Sequence, residues 1–451
     1  MSTQGIPTSL GTEKIGKLLV QYAVPAIIAM TASSLYNIID SIFIGHGVGA
    51  MAISGLALTF PLMNLSAAFG SLVGVGASTL LSVKLGQKDY VAAESILGNV
   101  VVLNIILGFI FAVITLLFLD PILYFFGGSE NTIGYAREFM QVILMGNIVT
   151  HLYFGLNAML RASGYPQKSM YATIATVVIN AMLAPIFIFG LGWGIRGAAL
   201  ATVIAQTCSL LWQLYLFSDK KELLHFRKGI FRLERQIVVD SLAIGLAPFL
   251  MNAAACFIVI LINQGLKRYG GDLSIGAYGI VNRLAFIFGM IVLGLNQGMQ
   301  PIAGYNYGAQ RFERVTRVLK LTILFATGIT TTGFLMAMFV PRLVVSMFTT
   351  DNELIRLSVE GLRITLMLYP LVGFQMVTSN FFQSIGLANR AIFLSLTRQL
   401  LFLLPALLIL PRFMGTLGVW YSMPLADLLS TVVSGTMLFS YYRKLRRKHV
   451  V

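Results

Sequence analysis

The sequence of 451 residues has little charge: 11% of its residues are charged, whereas 57% are hydrophobic. A soluble protein needs charge on about a quarter of its residues to solvate its surface. The shortage excludes an ordinary soluble fold and predicts that most of the surface faces lipid. Two cysteines are too few for a disulfide framework, and the four histidines have no metal-ligand spacing. The sequence also lacks a P-loop, which excludes ATP-driven transport by this chain alone.

Long apolar runs dominate the sequence instead. A spanning helix needs about 20 mostly apolar residues, and twelve segments reach that length, which predicts an all-α integral membrane protein. The predicted spans are 17–44, 52–82, 97–119, 136–158, 169–190, 196–217, 238–264, 275–303, 318–340, 357–382, 391–411 and 416–441.

The first six spans are repeated in the last six. Gly86 aligns with Gly308, and Gly164 aligns with Gly386, each 222 positions later. Because six helices per half is an even number, the halves share one orientation. They are therefore predicted to form two six-helix bundles related by a pseudo-two-fold axis along the membrane normal, with a cavity between them.

This repeat gives the predicted domain organisation. The predicted parts are an N-terminal bundle over 1–217, a cytoplasmic linker over 218–237 and a C-terminal bundle over 238–451. The linker is rich in charge, and an amphipathic helix on the inner leaflet is one interpretation of it.

The net charge of +15 would suit a nucleic-acid partner, but the placement of the charge excludes one. Most of the 32 Lys and Arg residues, with Arg390 and Arg398 counted among them, fall at one side of the predicted spans. The positive-inside rule then predicts a multi-pass protein of the cell inner membrane, with both termini cytoplasmic. We expect a monomer in the lipid bilayer.

Four segments carry a resemblance to a known family: SLYNIIDSIFIGHGVGAMAISGLALTFPL (34–62), VGVGASTLLSVKLGQKDYVAAE (73–94), LNAMLRASGYPQKSM (156–170) and QGMQPIAGYNYGAQRFERV (297–315). On these motifs the chain resembles the multidrug and toxic compound extrusion (MATE) family, with the DinF-like branch nearest. The resemblance implies a secondary antiporter, not an enzyme. Such a protein exports small organic compounds, often cationic or amphipathic, in exchange for H+ or Na+ by alternating access.

A lipid-linked oligosaccharide flippase of the same superfamily is the alternative. Such flippases need a strongly basic cavity for the pyrophosphate group. Within the predicted spans the positive charge is little more than Arg283, which ranks the flippase second.

Asp40 is the leading candidate for ion coupling. It lies in the outer part of span 1 with almost no other charge nearby. An ionised carboxylate in hydrocarbon is costly, so Asp40 must face a cavity, hold a cation or be protonated. Asn37 shares its helical face, and Tyr36 lies beside it. The resemblance implies that Asp40 matches the family's coupling aspartate, and that Asn180 and Thr202 match cation-site positions. An Asp40 that faces water at the helix end is the structural alternative.

The chain departs from the family pattern in span 5. The family motif usually has a second aspartate before the proline, and here the segment reads NAMLAPIFIFG with Ala184 in that place. One carboxylate with Asn180 and Thr202 is a poorer Na+ cage than two carboxylates. We therefore predict H+ coupling at Asp40, with Na+ at the same three residues less favoured and with no other cofactor.

Polar stripes on several spans predict a lined cavity. Helix-to-helix hydrogen bonding is the alternative role for such residues. The residues predicted to line the cavity are Tyr36, Asn37, Thr176, Gln206, Asn252, Gln300 and Gln375.

Three further residues have predicted roles. Pro25 removes a backbone hydrogen bond from span 1 and is predicted as its hinge, a static kink being the alternative. Arg283 and Asp427 could form a second charged patch, and a structural ion pair between them is favoured because buried charges usually pair.

Overall fold

The computed structural model describes residues 8–126, 128–348 and 350–448. Within these ranges the chain is helical and contains no strand. We number the twelve long elements in chain order. They are α1 (Ile15–Gly47), α2 (Ala50–Gly86), α3 (Tyr90–Leu117), α4 (Ile133–Met145 and Asn147–Ala162), α5 (Pro166–Pro185 with Ile186–Gly190), α6 (Gly194–Phe217), α7 (Arg235–Gly271), α8 (Leu273–Gly308), α9 (Phe312–Phe339), α10 (Asn352–Thr365 and Tyr369–Ser384), α11 (Ala388–Met414) and α12 (Thr416–Lys448).

All twelve predicted spans are present as helical elements. Ten are single helices that are long and apolar enough to cross a membrane, and α4 and α10 are pairs bent by 57° and 54°. The bend in α10 falls just before Pro370, whose ring cannot continue the preceding helical turn. The chain turns between α7 and α8 at Gly271, where φ is 73°, a backbone conformation that side chains with a Cβ disfavour.

Two segments have π-helical geometry. One is Ile186–Gly190 at the end of α5, and the other is Thr397–Leu403 in the middle of α11. The second is specific to the C-terminal half, because the corresponding residues 175–181 lie in the regular α-helix of α5. A π-helical turn inserts one residue into the helix and turns nearby side chains, and such turns are frequent at functional sites.

The two halves form lobes that meet at one end of the molecule. We call this the basal end; it carries Leu10, Gly86, Gly308 and the connection between α6 and α7. There a single apolar core includes buried residues of both lobes, such as Leu81 and Phe382. At the opposite, distal end, each lobe has an apolar core of its own. The lobes therefore pack against each other at the basal end, and each has its own apolar core at the distal end.

Contacts between the lobes obey the repeat of 222 positions. A Cβ built on Gly86 would lie 1.9 Å from the carbonyl oxygen of Tyr305, and one on Gly308 would lie 2.0 Å from that of Val83. Tyr305 is the repeat counterpart of Val83, so each lobe presents the same contact to the other. This reciprocity is the mark of a two-fold interface, and it places the pseudo-two-fold axis between α2 and α8.

The connection between α6 and α7, residues 218–234, contains no helix, so the amphipathic-helix interpretation was wrong. The segment is bound to α3 instead. Asn99 donates from Nδ2 to the Arg232 carbonyl oxygen at 3.1 Å and accepts from the Glu234 backbone N–H at 2.9 Å. Arg227 also forms an ion pair with Glu94. Backbone groups of the segment form hydrogen bonds with the Asn99 side chain of α3. In a helix, backbone groups form such bonds with one another.

The segment before α1 is bound to the opposite lobe. Leu10 is fully buried, and its carbonyl oxygen accepts hydrogen bonds from Asn306 Nδ2 at 2.9 Å and Arg314 Nη2 at 3.1 Å. Arg314 Nη2 also donates to the Glu13 carbonyl oxygen at 2.7 Å, and Arg311 donates to that of Gly11. We call these contacts the N-terminal clamp; they tie the start of the N-lobe to α8 and α9.

Candidate functional site

Asp40 lies in the distal half of α1 and is 7% exposed. Its Oδ1 is buried and has no hydrogen-bond partner among the described residues. Burying a carboxylate without a donor is costly when the group is ionised. The geometry is thus unfavourable to a bare negative charge and favourable to a bound proton or cation.

Three polar side chains lie one turn away on the basal side of Asp40. Tyr36 is on α1, and its hydroxyl oxygen is 2.7 Å from Thr202 Oγ1 on α6. Asn180 on α5 donates from Nδ2 to Thr202 Oγ1 at 3.0 Å and to the Tyr36 hydroxyl at 3.5 Å. Three helices therefore meet at one hydrogen-bonded group, which we call the polar triad (Tyr36, Asn180 and Thr202).

The side-chain donors of the polar triad already have acceptors. Thr202 donates to the Ala198 carbonyl oxygen at 3.2 Å, so Tyr36 donates to Thr202, and Asn180 uses its amide hydrogens on these two hydroxyl groups. No triad donor remains for Asp40. The structure thus brings together the predicted Asn180 and Thr202, with Asp40 beside them but without a direct hydrogen bond.

Ala184 on the neighbouring helix α5 lies in the same stretch of the N-lobe as Asp40. Asn180 of α5 contacts Tyr36 of α1, and further along both helices Ile188 contacts Gly47, so the two helices run side by side in the same direction. Ala184 is fully buried in the distal apolar core of the N-lobe, together with Ile44. The position at which the family resemblance implies a second acid is therefore buried among apolar residues.

Two of the predicted cavity residues in the N-lobe make hydrogen bonds between helices. Thr176 donates to Ser209 Oγ at 2.7 Å and so joins α5 to α6. Gln206 accepts from Thr150 Oγ1 at 2.6 Å and so joins α6 to α4. Both side chains are half-buried, which fits the helix-packing alternative. Asn37 lies in α1, but its side chain is outside the described part of the structure.

The predicted cavity residues of the C-lobe lie in different surroundings. Gln300 is 4% exposed and donates from Nε2 to Thr79 Oγ1 at 2.6 Å and to Ser78 Oγ at 2.9 Å. It therefore bridges α8 to α2 between the lobes, and its role in lining the cavity stays a prediction. Asn252 is exposed and Gln375 is buried. Pro25 is buried within the continuous helix α1, and its role as a hinge stays a prediction.

The C-lobe contains a charged pair that differs from the predicted one. Asp427 on α12 is 3% exposed and accepts from Arg398 Nε at 2.5 Å. Arg283 is exposed and makes none of the ion pairs found among the described residues. The predicted Arg283–Asp427 pair is therefore corrected to Arg398–Asp427. The charge distribution in the sequence groups Arg398 with the basic residues at one side of the spans, but it lies in the π-helical turn in the middle of α11.

A buried histidine group was not singled out from the sequence. His151 on α4 is fully buried, and its Nε2 is 3.2 Å from Ser66 Oγ, which donates to Asn147 Oδ1 at 2.6 Å. Asn147 in turn donates to the Gly108 carbonyl oxygen at 2.9 Å. The group ties α2, α3 and α4 together beside the bend in α4. Its members are far apart in sequence. The only signal for this group in the sequence is the presence of polar residues within otherwise apolar spans.

The fold and the repeat agree with a family profile. The MatE profile matches residues 25–186 and again 247–408, two segments displaced by the same 222 positions as the internal repeat. The chain belongs to the MatE family of multidrug efflux transporters. It is a multi-pass membrane transporter, and members of this family are transporters rather than enzymes.

Known relatives extend over almost the whole chain. The multidrug export protein MepA of Staphylococcus haemolyticus (strain JCSC1435) is 28% identical over 431 residues, which cover 96% of this chain and 95% of MepA. The structure of a ligand complex of the MATE multidrug transporter DinF-BH is 34% identical, with a TM-score of 0.88 and coverage of 95% and 96%. A MATE structure in the bent conformation reaches a TM-score of 0.93 at 23% identity and full coverage of both chains, which supports the fold alone. None of these relatives supports the flippase alternative.

Proposed function

We propose that this protein exports small organic compounds in exchange for protons, and that Asp40 is the group that takes up and releases the proton. The observation that supports the proposal is a buried carboxylate oxygen without a hydrogen-bond donor, beside a polar triad whose donors are spent. Such a carboxylate is stabilised by a bound proton while it is buried. It releases the proton in the conformation in which water reaches it.

Protons are favoured over Na+ because the site has one carboxylate. Na+ would have to be held by Asp40 and the neutral oxygens of Asn180, Thr202 and Tyr36, with an alanine methyl group in place of a second acid. A proton needs a single oxygen. Na+ is therefore the weaker candidate at the same residues.

The transport cycle we propose is alternating access between the two lobes. The described conformation is closed at the basal end, where one core spans both lobes. With both termini cytoplasmic in the cell membrane, as the basic residues favour, this conformation faces outward. Each proton that moves inward contributes about 2.3 kcal/mol per 100 mV of membrane potential. The small organic substrate is carried between the lobes, and a single chain provides both lobes, so we propose that a monomer is sufficient.

The test of this proposal uses full-length protein in proteoliposomes loaded with rhodamine 6G, a cationic aromatic dye whose fluorescence reports its movement. We expect an imposed pH gradient to drive dye transport without Na+, and an imposed Na+ gradient at equal pH to drive little. Asp40→Asn removes the exchangeable proton while keeping the side-chain shape, so pH-driven transport should fall about tenfold or more, as for the loss of a proton-transfer group.

The matched control is Asp240→Asn, since Asp240 is an aspartate at the basal end whose carboxylate accepts from Gln236 on the surface of α7. This variant should transport at the wild-type rate. Full pH-driven transport by Asp40→Asn, with unchanged ion dependence, would show that another group couples the proton.

A further inference from the structure

The connection between α6 and α7 has no part in the proposed transport cycle, yet residues 227–235 of it are fixed along the basal part of α3. Glu94 of α3 holds one end of this segment through an ion pair, and Asn99 holds the other end through two backbone hydrogen bonds. Between them the carbonyl oxygen of Ile230 lies against Gly98, where a Cβ would come within 2.1 Å of it. The segment therefore keeps one position on the helix.

The segment covers α3 on the side that faces lipid. Ile105 and Phe109 lie seven and eleven residues after Gly98, which places all three on one face of the helix. Ile105 and Phe109 are 40% and 57% exposed, and exposed apolar side chains on a spanning helix face lipid. The apolar run of α3 begins near residue 97. The segment therefore lies at the rim of the N-lobe, where lipid headgroups meet hydrocarbon.

The side chains that the segment presents outward are mostly basic. Arg227, Lys228, Arg232 and Arg235 are all exposed, and the acid within the same segment is Glu234. Arg227 is paired with α3, whereas the other three basic side chains take part in none of the ion pairs found among the described residues. Three basic side chains are thus left to bind an anion from outside the protein.

Two apolar side chains are exposed among these basic residues. Phe231 and Leu233 are 42% and 41% exposed, one on each side of Arg232. The ring of Phe231 packs on Phe226 with centroids 5.9 Å apart, and Phe226 packs in turn on the buried Phe217 at 5.8 Å. Basic and apolar side chains in alternation match a bilayer surface, where phosphate groups lie next to acyl chains.

We propose that residues 227–235 bind an anionic phospholipid of the cytoplasmic leaflet. Lys228 and Arg232 bind its phosphate group, and Phe231 and Leu233 contact the start of its acyl chains. Negatively charged lipids of the inner leaflet attract basic segments next to spanning helices. The inference does not depend on which ion Asp40 exchanges or on what the protein exports.

Two lipids with the same acyl chains test the site. Dioleoyl phosphatidylglycerol is anionic, and dioleoyl phosphatidylcholine carries no net charge. Native mass spectrometry of the purified full-length protein in detergent gives the dissociation constant of each lipid. The first variant is Lys228→Gln with Arg232→Gln, and the second is Phe231→Ser with Leu233→Ser. All four side chains are exposed, so each variant should fold as the wild type does.

We expect the first variant to bind phosphatidylglycerol tenfold or more weakly, because each basic residue at a membrane surface contributes to the attraction of an anionic lipid. Its binding of phosphatidylcholine should change less than threefold. The second variant should bind both lipids more weakly by a similar factor, since it removes apolar contacts alone. The matched control is Lys88→Gln with Arg317→Gln, which removes two exposed basal charges elsewhere and should change neither constant more than threefold.

Three results would overturn the site. The first is equal affinity of the wild-type protein for the two lipids. The second is an equal loss of phosphatidylglycerol binding in the control and in the first variant, which would make the effect one of net charge. The third is complete displacement of phosphatidylglycerol by millimolar inorganic phosphate, which would indicate a site for a free anion. Retention of the lipid in phosphate, with the loss confined to the first variant, would support the proposal.

Discussion

The residues around Asp40 determine which ion the carboxylate can exchange. The polar triad lies one turn away and is neutral, and Ala184 on the adjacent helix α5 is buried in the distal apolar core of the N-lobe. A neutral environment leaves the charge of Asp40 to be balanced by what binds to it. Replacing the methyl group with a second acid should therefore change the preferred ion, while leaving the rest of the site in place.

We predict that Ala184→Asp makes transport responsive to Na+. Two carboxylates side by side repel each other when both are ionised, and a monovalent cation with oxygen ligands relieves that repulsion. Without Na+ the variant should lose roughly 1–3 kcal/mol of stability, because a polar group enters an apolar core. Saturating Na+ should recover about 2–3 kcal/mol, as expected for a ligand at a hundred times its Kd. Thermal unfolding of the purified protein, with NaCl replaced by choline chloride, measures both effects.

Ala184→Asn is the control for Ala184→Asp, because it has nearly the same size and polarity without the charge. It should be destabilised in both salts alike. A folded Ala184→Asp protein with equal unfolding temperatures in the two salts would argue that Ala184 does not determine the choice of ion.

Charged residues in apolar spans were predictable from the sequence to different degrees. Asp40 was identified because it is isolated in a long apolar run. Arg398 was missed as a membrane residue because Arg390 lies eight positions before it, near the end of the same span, and hydropathy does not give the depth of a charge. The partner of Asp427 depends on side-chain direction across two helices, which the π-helical turn alters. Sequence distance alone does not contain that information.

The N-terminal clamp is a short element that holds longer helices of the two lobes together. Residues 8–14 precede α1, and their main-chain carbonyl groups are bound by Asn306, Arg311 and Arg314 at the junction of α8 and α9. The clamp joins one lobe to the other where they meet basally. Opening of the basal end by alternating access would have to break these hydrogen bonds.

We predict that Arg314→Gln releases the N-terminal segment. The substitution removes charge-assisted hydrogen bonds to Leu10, Glu13 and Asn306, each contributing about 1.5–3 kcal/mol. Deuterium exchange of the backbone amides in residues 8–14 should become at least about tenfold faster. Arg317→Gln is the control, because Arg317 lies one turn along α9, is exposed, and makes no such bond among the described residues. Identical exchange in the two variants would mean that Leu10 burial and the hydrogen bonds from Asn306 and Arg311 hold the segment without Arg314.

Elements were easier to predict than their irregularities. Each of the twelve spans follows from about 20 apolar residues in succession. The bends in α4 and α10 were not predicted, because a hydropathy average over a span is unaffected by a change of direction within it. A helix was one interpretation of the connection at 218–234 from its charge pattern, but the segment forms turns and bends, and Asn99 of α3 binds two of its backbone groups.

Across the whole molecule, the two lobes share a basal interface with two-fold symmetry. The glycines at 86 and 308 are equivalent in the repeat, and each allows the backbone of α2 and α8 to approach at the pseudo-two-fold axis. Small residues allow close helix packing in membranes, where the hydrophobic effect does not drive helices together. These two contacts therefore set how tightly the basal end closes, and a side chain at either position should favour the opposite, basally open arrangement.

We predict that Gly86→Ala and Gly308→Ala each open the basal end by a similar amount. The new Cβ would lie about 2 Å from a carbonyl oxygen of the other lobe, and overpacking of this kind costs about 1–3 kcal/mol. That cost shifts the ratio of closed to open molecules by roughly 5- to 150-fold. Electron–electron distance measurements between two spin labels, one at the basal end of each lobe, should detect this shift in the ratio. Cys208 and Cys256 are first replaced by serine because both thiols are exposed. Gly279→Ala on α8, where a Cβ meets nothing within 4 Å, should keep the wild-type distances. If only one of the two lobe variants changed the distances, the basal contact would not act as a symmetric pair, although the repeat makes its two halves equivalent.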